Sequence, residues 1–239
     1  MGKSIFITGT GTEIGKTIST GFLFFALNKL GIKTTVFKPF QTGLIKETNT
    51  YPDLDWFSTV TGIKNAGFYT FEAETSPHLA IKLQGGAMDV DIESILQRMK
   101  DLEKENDIVL VEGAGGLAVP LIERENDFYM TKDFINEANI PAILVSRSGL
   151  GSIHDVLTTN EYAEQYNVPI KSIIFNSFEE TNIIHQDNLN TLQRIVQLPI
   201  FTLPFLENVK DELEDHSVCC IQSKTFKQQL EEVFLYEFH

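Results

Sequence analysis

Apolar residues recur along this chain in two arrangements: short unbroken runs, and longer stretches with an apolar residue every three or four positions. The runs Ser4–Thr8, Thr34–Phe37, Ile108–Glu112, Ala142–Val145, Lys171–Phe175 and Ile200–Leu203 predict strands covered on both faces, as in a buried parallel sheet. Helical patterns lie between them. After Asp91, a residue suited to an N-cap, the residues Ile92, Ile95, Leu96, Met99 and Leu102 share one face. Ile18 to Leu30, Ile153 to Tyr166 and Thr225 to Tyr236 read as helices too. Alternating strand and helix predicts an α/β fold, a mostly parallel sheet flanked by helices on both faces. No repeat, linker or low-complexity tract interrupts it, so a single domain over residues 1–239 is expected. The longest stretch without a clear pattern runs from Gly43 to about Gly67, and a long loop in a compact domain is more often functional than decorative.

The first strand runs directly into Gly9-Thr-Gly-Thr-Glu-Ile-Gly-Lys-Thr17, and a helix follows. Strand, glycine-rich turn, Lys-Thr and helix form the context of a phosphate-binding loop. Backbone N–H groups of the turn and of the helix N-terminus face an anion. Lys16 adds a charge against the β- and γ-phosphates, and Thr17 offers a hydroxyl to Mg²⁺. The loop deviates from the usual spacing, because Thr10 occupies the first glycine slot and Gly9 and Gly11 flank it. A dinucleotide-binding turn fits worse: its glycine spacing fails by one residue and it has no use for Lys16 and Thr17. The fold expected is therefore P-loop NTPase-like.

Composition narrows the partners. The 239 residues are 42% hydrophobic, enough for a sizeable core. A net charge of −14, from 33 acidic and 19 basic residues, makes nucleic acid and anionic membrane poor partners. A local cationic pocket for nucleotide remains compatible with it. The two cysteines, Cys219 and Cys220, are adjacent and would close no useful loop, so buried or half-buried thiols in a reducing compartment are expected. The five histidines show no zinc-ligand spacing. No apolar run is long enough to span a bilayer, and the N-terminus lacks a secretory pattern. Met1-Gly2 opens like a myristoylation site, but Phe6 stands where Ser or Thr is needed. A cytoplasmic protein is expected.

Ligands of open α/β sheets sit beyond the carboxyl ends of the strands. After the second run comes Lys38-Pro-Phe-Gln-Thr-Gly43. Lys38 either points at the same crevice as Lys16 or is a surface lysine before a turn-forming proline. After the third comes Glu112-Gly-Ala-Gly-Gly116. A carboxylate ending an Ile-Val-Leu-Val strand needs a partner, and Mg²⁺ or its bound water is one. Asp53 and Asp55, in Tyr-Pro-Asp-Leu-Asp-Trp, start a short helix inside the long loop. One is suited to cap it and the other to bind metal, and the residues alone do not apportion those roles.

Taken in order, these motifs, with Thr75-Ser-Pro-His78, Val119-Pro120, Leu150-Gly-Ser-Ile153, Asn176 and Pro204-Phe-Leu206, resemble the dethiobiotin synthetase family from Ile5 to about Leu206. The resemblance implies a single P-loop α/β domain that joins CO2 to 7,8-diaminononanoate and closes a cyclic urea, giving dethiobiotin, ADP and phosphate. ATP is the co-substrate and Mg²⁺ the cofactor. It implies a homodimer with the diamine site at the subunit interface. Lys16 and Lys38 become the catalytic cations, and Thr12 and Thr42 contact substrate. Gly151, Ser152 and Ile153 reach the neighbouring subunit's substrate. Thr17, Asp55 and Glu112 become the metal ligands, Asp55 being preferred over Asp53 because ungapped counting from Thr42 reaches it. Glu13, Ile14 and Gly15 of the loop, with Gly115 and Gly116, line the nucleotide crevice, and Asn176, Pro204 and Leu206 hold the base. This chain departs from the family at Ser177 (where Asp is common), Asp211 (Glu), His154 (Asn) and Leu54 (a small polar residue).

A regulatory GTPase would carry an Asn-Lys-x-Asp base reader. Asn28-Lys29 is followed by Leu30-Gly31 and so fails. A partitioning ATPase would carry an extra lysine between Gly9 and Ile14, where there is none.

Overall fold

The structure, a computed structural model, describes residues 2–85 and 90–236. Met1 of the myristoylation-like start and the last histidine, His239, lie outside them. In chain order the elements are β1 (Lys3–Gly9), α1 (Lys16–Lys29), β2 (Thr34–Thr42), α2 (Pro52–Trp56), β3 (Gly67–Phe71), α3 (Pro77–Leu83) and α4 (Ile92–Glu105). Then follow β4 (Ile108–Glu112), β5 (Pro120–Glu123), β6 (Phe128–Met130), α5 (Thr131–Ala138), β7 (Ala142–Arg147), α6 (Ser152–Gln165) and β8 (Ile170–Phe178). The chain continues through α7 (Ile183–Ile195), β9 (Ile200–Pro204), α8 (Val209–Cys220) and α9 (Lys224–Glu231). One wide π-type turn extends α2 over Phe57–Thr61, and another extends α9 over Glu232–Tyr236.

Seven strands form one sheet in the order β3-β2-β4-β1-β7-β8-β9, and every pairing in it is parallel. Period-two alternation explains why the strand sequences are apolar throughout. Ile5 and Ile7 enter the core under α1, α8 and α9, whereas Phe6 enters the opposite core with Met99 of α4 and Phe134 of α5. Leu110 and Val111 of β4 split the same way. All six expected strands are present. β3 and the antiparallel hairpin of β5 and β6 were not anticipated, because β3 begins within the stretch read as patternless and β5 and β6 are only four and three residues long. Asp91 does cap α4, its side chain accepting from the Glu93 N–H. Of the two thiols, Cys220 is half-buried but Cys219 is exposed, against expectation.

One expectation about β2 fails informatively. The strand does not end before Lys38 but runs on to Thr42. Its pairing with β4 stops at Phe37↔Val111, and from Lys38↔Gly67 it continues beside β3. The Lys38 N–H goes to Ala66 O on the β3 side. The next residue, Pro39, therefore faces the side that β4 has already vacated, where a missing N–H costs no ladder bond. Pro39 continues the strand rather than turning it.

Candidate active site

β1 stands where the chain's direction of travel across the sheet reverses. Strands β2, β3 and β4 fall to one side and β7, β8 and β9 to the other. The crevice beyond such a switch point is where open α/β sheets bind ligands. A cleft of about 820 Å³ opens there, bounded by the Gly9–Thr17 loop, the end of β2, α2, the Glu74–Pro77 turn and the Glu112–Gly115 turn.

The loop's odd spacing has a local cause. Thr10 still belongs to the sheet, donating its N–H to Val145 O at 3.0 Å, so its slot needs no glycine. Gly15, the N-cap of α1, sits at φ 89, a left-handed conformation that favours glycine. A Cβ there would also lie 1.9 Å from Asn176 Nδ2. Asn176 uses that space to donate to Ile14 O at 3.0 Å, tying β8 to the loop. Gly116 likewise lies against the loop, with an added Cβ 3.0 Å from Gly9 O, and Gly115 adopts φ 81.

Six side chains gather on the cleft floor and at its base. Lys38 Nζ is 2.6 Å from Glu112 Oε1 and 2.5 Å from Asp53 Oδ2. Thr17 Oγ1 is 3.0 Å from both Asp53 Oδ1 and Glu112 Oε1. Thr20 donates to Glu112 Oε2 at 2.8 Å from beneath. Lys16 is buried and folds back on the loop, donating to Gly11 O at 3.0 Å. Lys38 therefore belongs to the crevice and is no surface lysine.

The charges polarise the two lysines differently. Burial, helped by the nearby charge of Lys38, pulls the Lys16 ammonium below its ordinary value against the pull of Glu112 and Asp53. For Lys38 burial acts downward as well, but the charges and hydrogen bonds of Glu112 and Asp53 outweigh it and hold the group above the usual lysine value. Burial pushes Asp53 up, and the adjacent Lys38 ammonium overcomes it and holds the carboxyl below its usual range.

Asp53, not Asp55, is the carboxylate of this cluster. Tyr51 is the N-cap of α2 and Pro52 its first residue, so neither aspartate is its N-cap. Trp56 lies against α1 at Gly21, where a Cβ would come within 2.4 Å of its ring. At about 100° per residue, Asp53 shares the Trp56 face while Asp55 points away. Asp55 is exposed. Ungapped counting from Thr42 carries no information about helix phase, and the structure sets Asp53 rather than the expected Asp55 beside Thr17 and Lys38.

Thr12, Glu13, Gly15, Lys16, Thr17, Thr42, Glu112 and Gly115 of the expected site line the cleft. Ile14 instead packs its side chain under the loop, where a Cβ on Gly9 would touch it at 2.3 Å. Asn176 lies in register with Arg147 and Leu203 across β7, β8 and β9, off the cleft and on the far side of the loop, with Pro204 and Leu206 following β9. Ser177 takes φ 55, within the register shift of β8 against β9. Gly151, Ser152 and Ile153 open α6 away from this chain's cleft. Ser152 is turned inward with its hydroxyl 3.4 Å from Ser148 O, and Ile153 packs on the core beside Leu144 and Phe175. Leu150, just before them, is 95% exposed. Thr20 and Gln41 were missed by sequence reasoning. Thr20 was reachable, because it follows Lys16 by one helical turn and shares its face. Gln41 gave no signal of its own.

The metal donors on offer are the Thr17 hydroxyl and the carboxylates of Asp53 and Glu112. An all-oxygen, twice-anionic set suits Mg²⁺. The two carboxylates already converge on a positive charge, the Lys38 ammonium, with the Thr17 hydroxyl 3.0 Å from each of them, so the donor set fits the ion.

A family profile described as an AAA domain matches residues 3–212. The chain is 47% identical over 236 residues to the ATP-dependent dethiobiotin synthetase BioD of Geobacillus sp. (strain WCH70), covering 98% of each chain. It belongs to the dethiobiotin synthetase family. A second relative of that name, from Geobacillus kaustophilus (strain HTA426), is 43% identical, with 97% of this chain and 98% of the relative covered. Among solved structures, the MinD cell division protein of Aquifex aeolicus aligns with a TM-score of 0.55 at 15% identity, covering 97% of this chain and 95% of that one. That likeness shows the P-loop NTPase-like fold and nothing finer. For a dethiobiotin synthetase, the cluster just described supplies two cations and an oxygen donor set around one loop.

Proposed function

We propose that this chain is an ATP-dependent dethiobiotin synthetase, which carboxylates 7,8-diaminononanoate and closes the cyclic urea with release of ADP and phosphate. The observation that carries the reading is the meeting of Lys16, Lys38, Thr17, Asp53 and Glu112 at one end of the cleft. The 47% identical relative supports the choice of substrate.

The chemistry needs little covalent help. A free amine attacks CO2, forming a C–N bond and an N-carboxylate and releasing one proton. Lys38, kept protonated by its two carboxylates, and the loop N–H groups stabilise that anion. A carbamate oxygen then attacks the γ-phosphorus of ATP, and ADP leaves. Lys16 leaves Gly11 O for the transferring phosphoryl group, whose charge it balances. The second amine attacks the carbonyl of the mixed anhydride and expels phosphate. Ring closure is intramolecular, with an effective molarity on the order of 10⁵ M or more once the geometry is held. Mg²⁺, held by Thr17, Asp53 and Glu112, supplies charge neutralisation of the phosphates when bound.

Glu13, Gly15, Gly115 and Gly116 lie along the phosphates, Thr12 and Thr42 along the substrate, and Asn176, Pro204 and Leu206 at the base. The chain acts as a single domain and as a homodimer, in the cytoplasm where ATP is supplied. The fully presented Leu150 beside Gly151, off its own cleft, supports a contribution of this turn to a neighbour's site. The deciding experiment incubates the protein with diamine, MgATP and ¹³C-bicarbonate. Dethiobiotin carrying one extra mass unit, formed only with all three, is expected. Phosphate release that ignores the diamine would remove the proposal.

A further inference from the structure

Four buried side-chain oxygens lack a hydrogen-bond partner among the described residues: the hydroxyls of Thr8, Ser19 and Ser172, and Oε1 of Gln41. A hydroxyl can swing its hydrogen toward any nearby acceptor, but an amide oxygen can only receive a donor. Gln41 is 3% exposed and lines the cleft. Its amide cannot simply be turned over. Nε2 donates to Thr42 O at 2.7 Å, and the reverse orientation would set two oxygens against each other. Oε1 is thus held as a buried acceptor in the wall of a ligand site, the kind of group that a correct ligand satisfies and a wrong one leaves costly.

The ligands of the cleft differ in what they can donate. Phosphates, CO2 and a carboxylate bring no N–H. Lys16 and Lys38 serve those anions. A second acceptor lines the same cleft: Glu74, an exposed residue, lies against Gly43, two positions on from Gln41, where a Cβ would come 3.3 Å from its Cγ. Acceptors in that part of the cleft suit an amine.

We propose that Gln41 is a substrate-binding residue whose Oε1 accepts an N–H from the amine that becomes carboxylated. The inference rests on the diamine reading of the site. Of the two hydrogens on the free amine, one leaves as a proton when the C–N bond to CO2 forms, and the other stays on the carbamate nitrogen. The hydrogen held by Gln41 is the one that stays, so the contact persists through carboxylation and leaves the nitrogen lone pair directed away from Gln41, toward CO2.

The test compares the full chain with Gln41→Met, which is similar in shape but has neither acceptor nor donor, and Gln41→Glu, which keeps an acceptor but sets its second oxygen against Thr42 O, so that both variants lose the bond to Thr42 and only one loses the acceptor. Expected for Gln41→Met is a diamine KM raised about ten- to a hundredfold, the size of a buried N–H left unpaired, with the KM for ATP unchanged and a melting midpoint lowered by the lost bond to Thr42 O as it is in Gln41→Glu. Gln41→Glu keeps the diamine KM within a few fold of wild type. A wild-type diamine KM in Gln41→Met overturns the inference. So does equal damage in both variants, which would assign Gln41 to holding the Thr42 carbonyl alone. Should Gln41→Met not fold, infrared spectra of wild-type protein with ¹³C-labelled glutamine side chains decide. One amide carbonyl band, absent from Gln41→Glu, moves to lower frequency on adding diamine, and an unmoved band overturns the inference. A wild-type protein that makes no dethiobiotin sinks the functional reading instead, independently of either variant.

Discussion

Lys38 and Glu112 form a 2.6 Å ion pair on the rung immediately beyond the last paired residues of β2 and β4, Phe37 and Val111. Strand register alone sets them side by side. Glu112 is completely buried and Lys38 nearly so, which leaves the pair little water to replace either partner.

Lys38→Ala should therefore cost stability as well as activity. Leaving Glu112 buried without its cation is expected to cost about 3–5 kcal/mol, read as a lower urea midpoint with an unchanged slope. Lys38→Met combined with Glu112→Gln should recover part of that loss, since neither partner is then left charged. A double variant no more stable than Lys38→Ala would count against the pair as the origin of the effect.

Lys16→Ala should lower turnover about a hundredfold or more, the usual scale for a lost transition-state donor, with little change in melting temperature. Among the described residues the Lys16 ammonium donates to the loop carbonyl of Gly11 and to no carboxylate, so its removal breaks no ion pair of the kind that holds Glu112. Phosphate release measured in single turnover checks this, and near-normal rates would remove Lys16 from the chemistry.

The two aspartates of α2 should separate cleanly. Asp53→Asn is expected to raise the Mg²⁺ concentration for half-maximal activity by about tenfold or more, because Asp53 faces Thr17 and Lys38. Asp55→Asn should leave the Mg²⁺ titration where it is. The opposite ranking would restore the assignment suggested by counting along the sequence.

Acid should reveal Asp53 in the stability curve. Its carboxyl titrates below the ordinary value in the folded state because Lys38 favours the charged form over the opposing effect of burial. That contribution is fully present above the unfolded pKa of about 3.9 and fades as pH falls through the lower folded value. Denaturation at several pH values should show wild type ahead of Asp53→Asn at neutral pH, the gap shrinking below pH ~4. Lys38 has the reverse sign: its raised value contributes below the ordinary lysine pKa and is lost as pH climbs through the folded one.

Gly15→Ala should abolish nucleotide binding while leaving a folded protein. The added methyl meets both an unfavourable φ and the Asn176 amide, so the loop must open where it would wrap phosphate. Calorimetric titration with ADP reads the loss, and wild-type affinity would show that the loop tolerates the shift.

Much of this was written in local patterns. Apolar runs bounded by turns marked six strands because a doubly covered strand has no choice but to be apolar, and the glycines with Lys16 and Thr17 announced an anion site because few other uses require that combination after a strand. Glu112 was legible as a carboxylate too expensive to bury alone. What the linear chain could not express was phase and neighbourhood. Asp53 rather than Asp55 meets Thr17 because Trp56 seats α2 on Gly21 of α1 and so fixes which side of a one-turn helix faces in. Lys38 meets Glu112 because β2 outruns β4, a fact of register between strands some seventy residues apart. Gln41 acquires its unfilled acceptor only because a neighbouring carbonyl claims the other end of its amide. Residue type and spacing decide which chemistry is available, since they act over one turn or one strand. Which oxygen faces which cation is decided by packing between elements far apart in sequence, and that is settled only when the sheet is assembled.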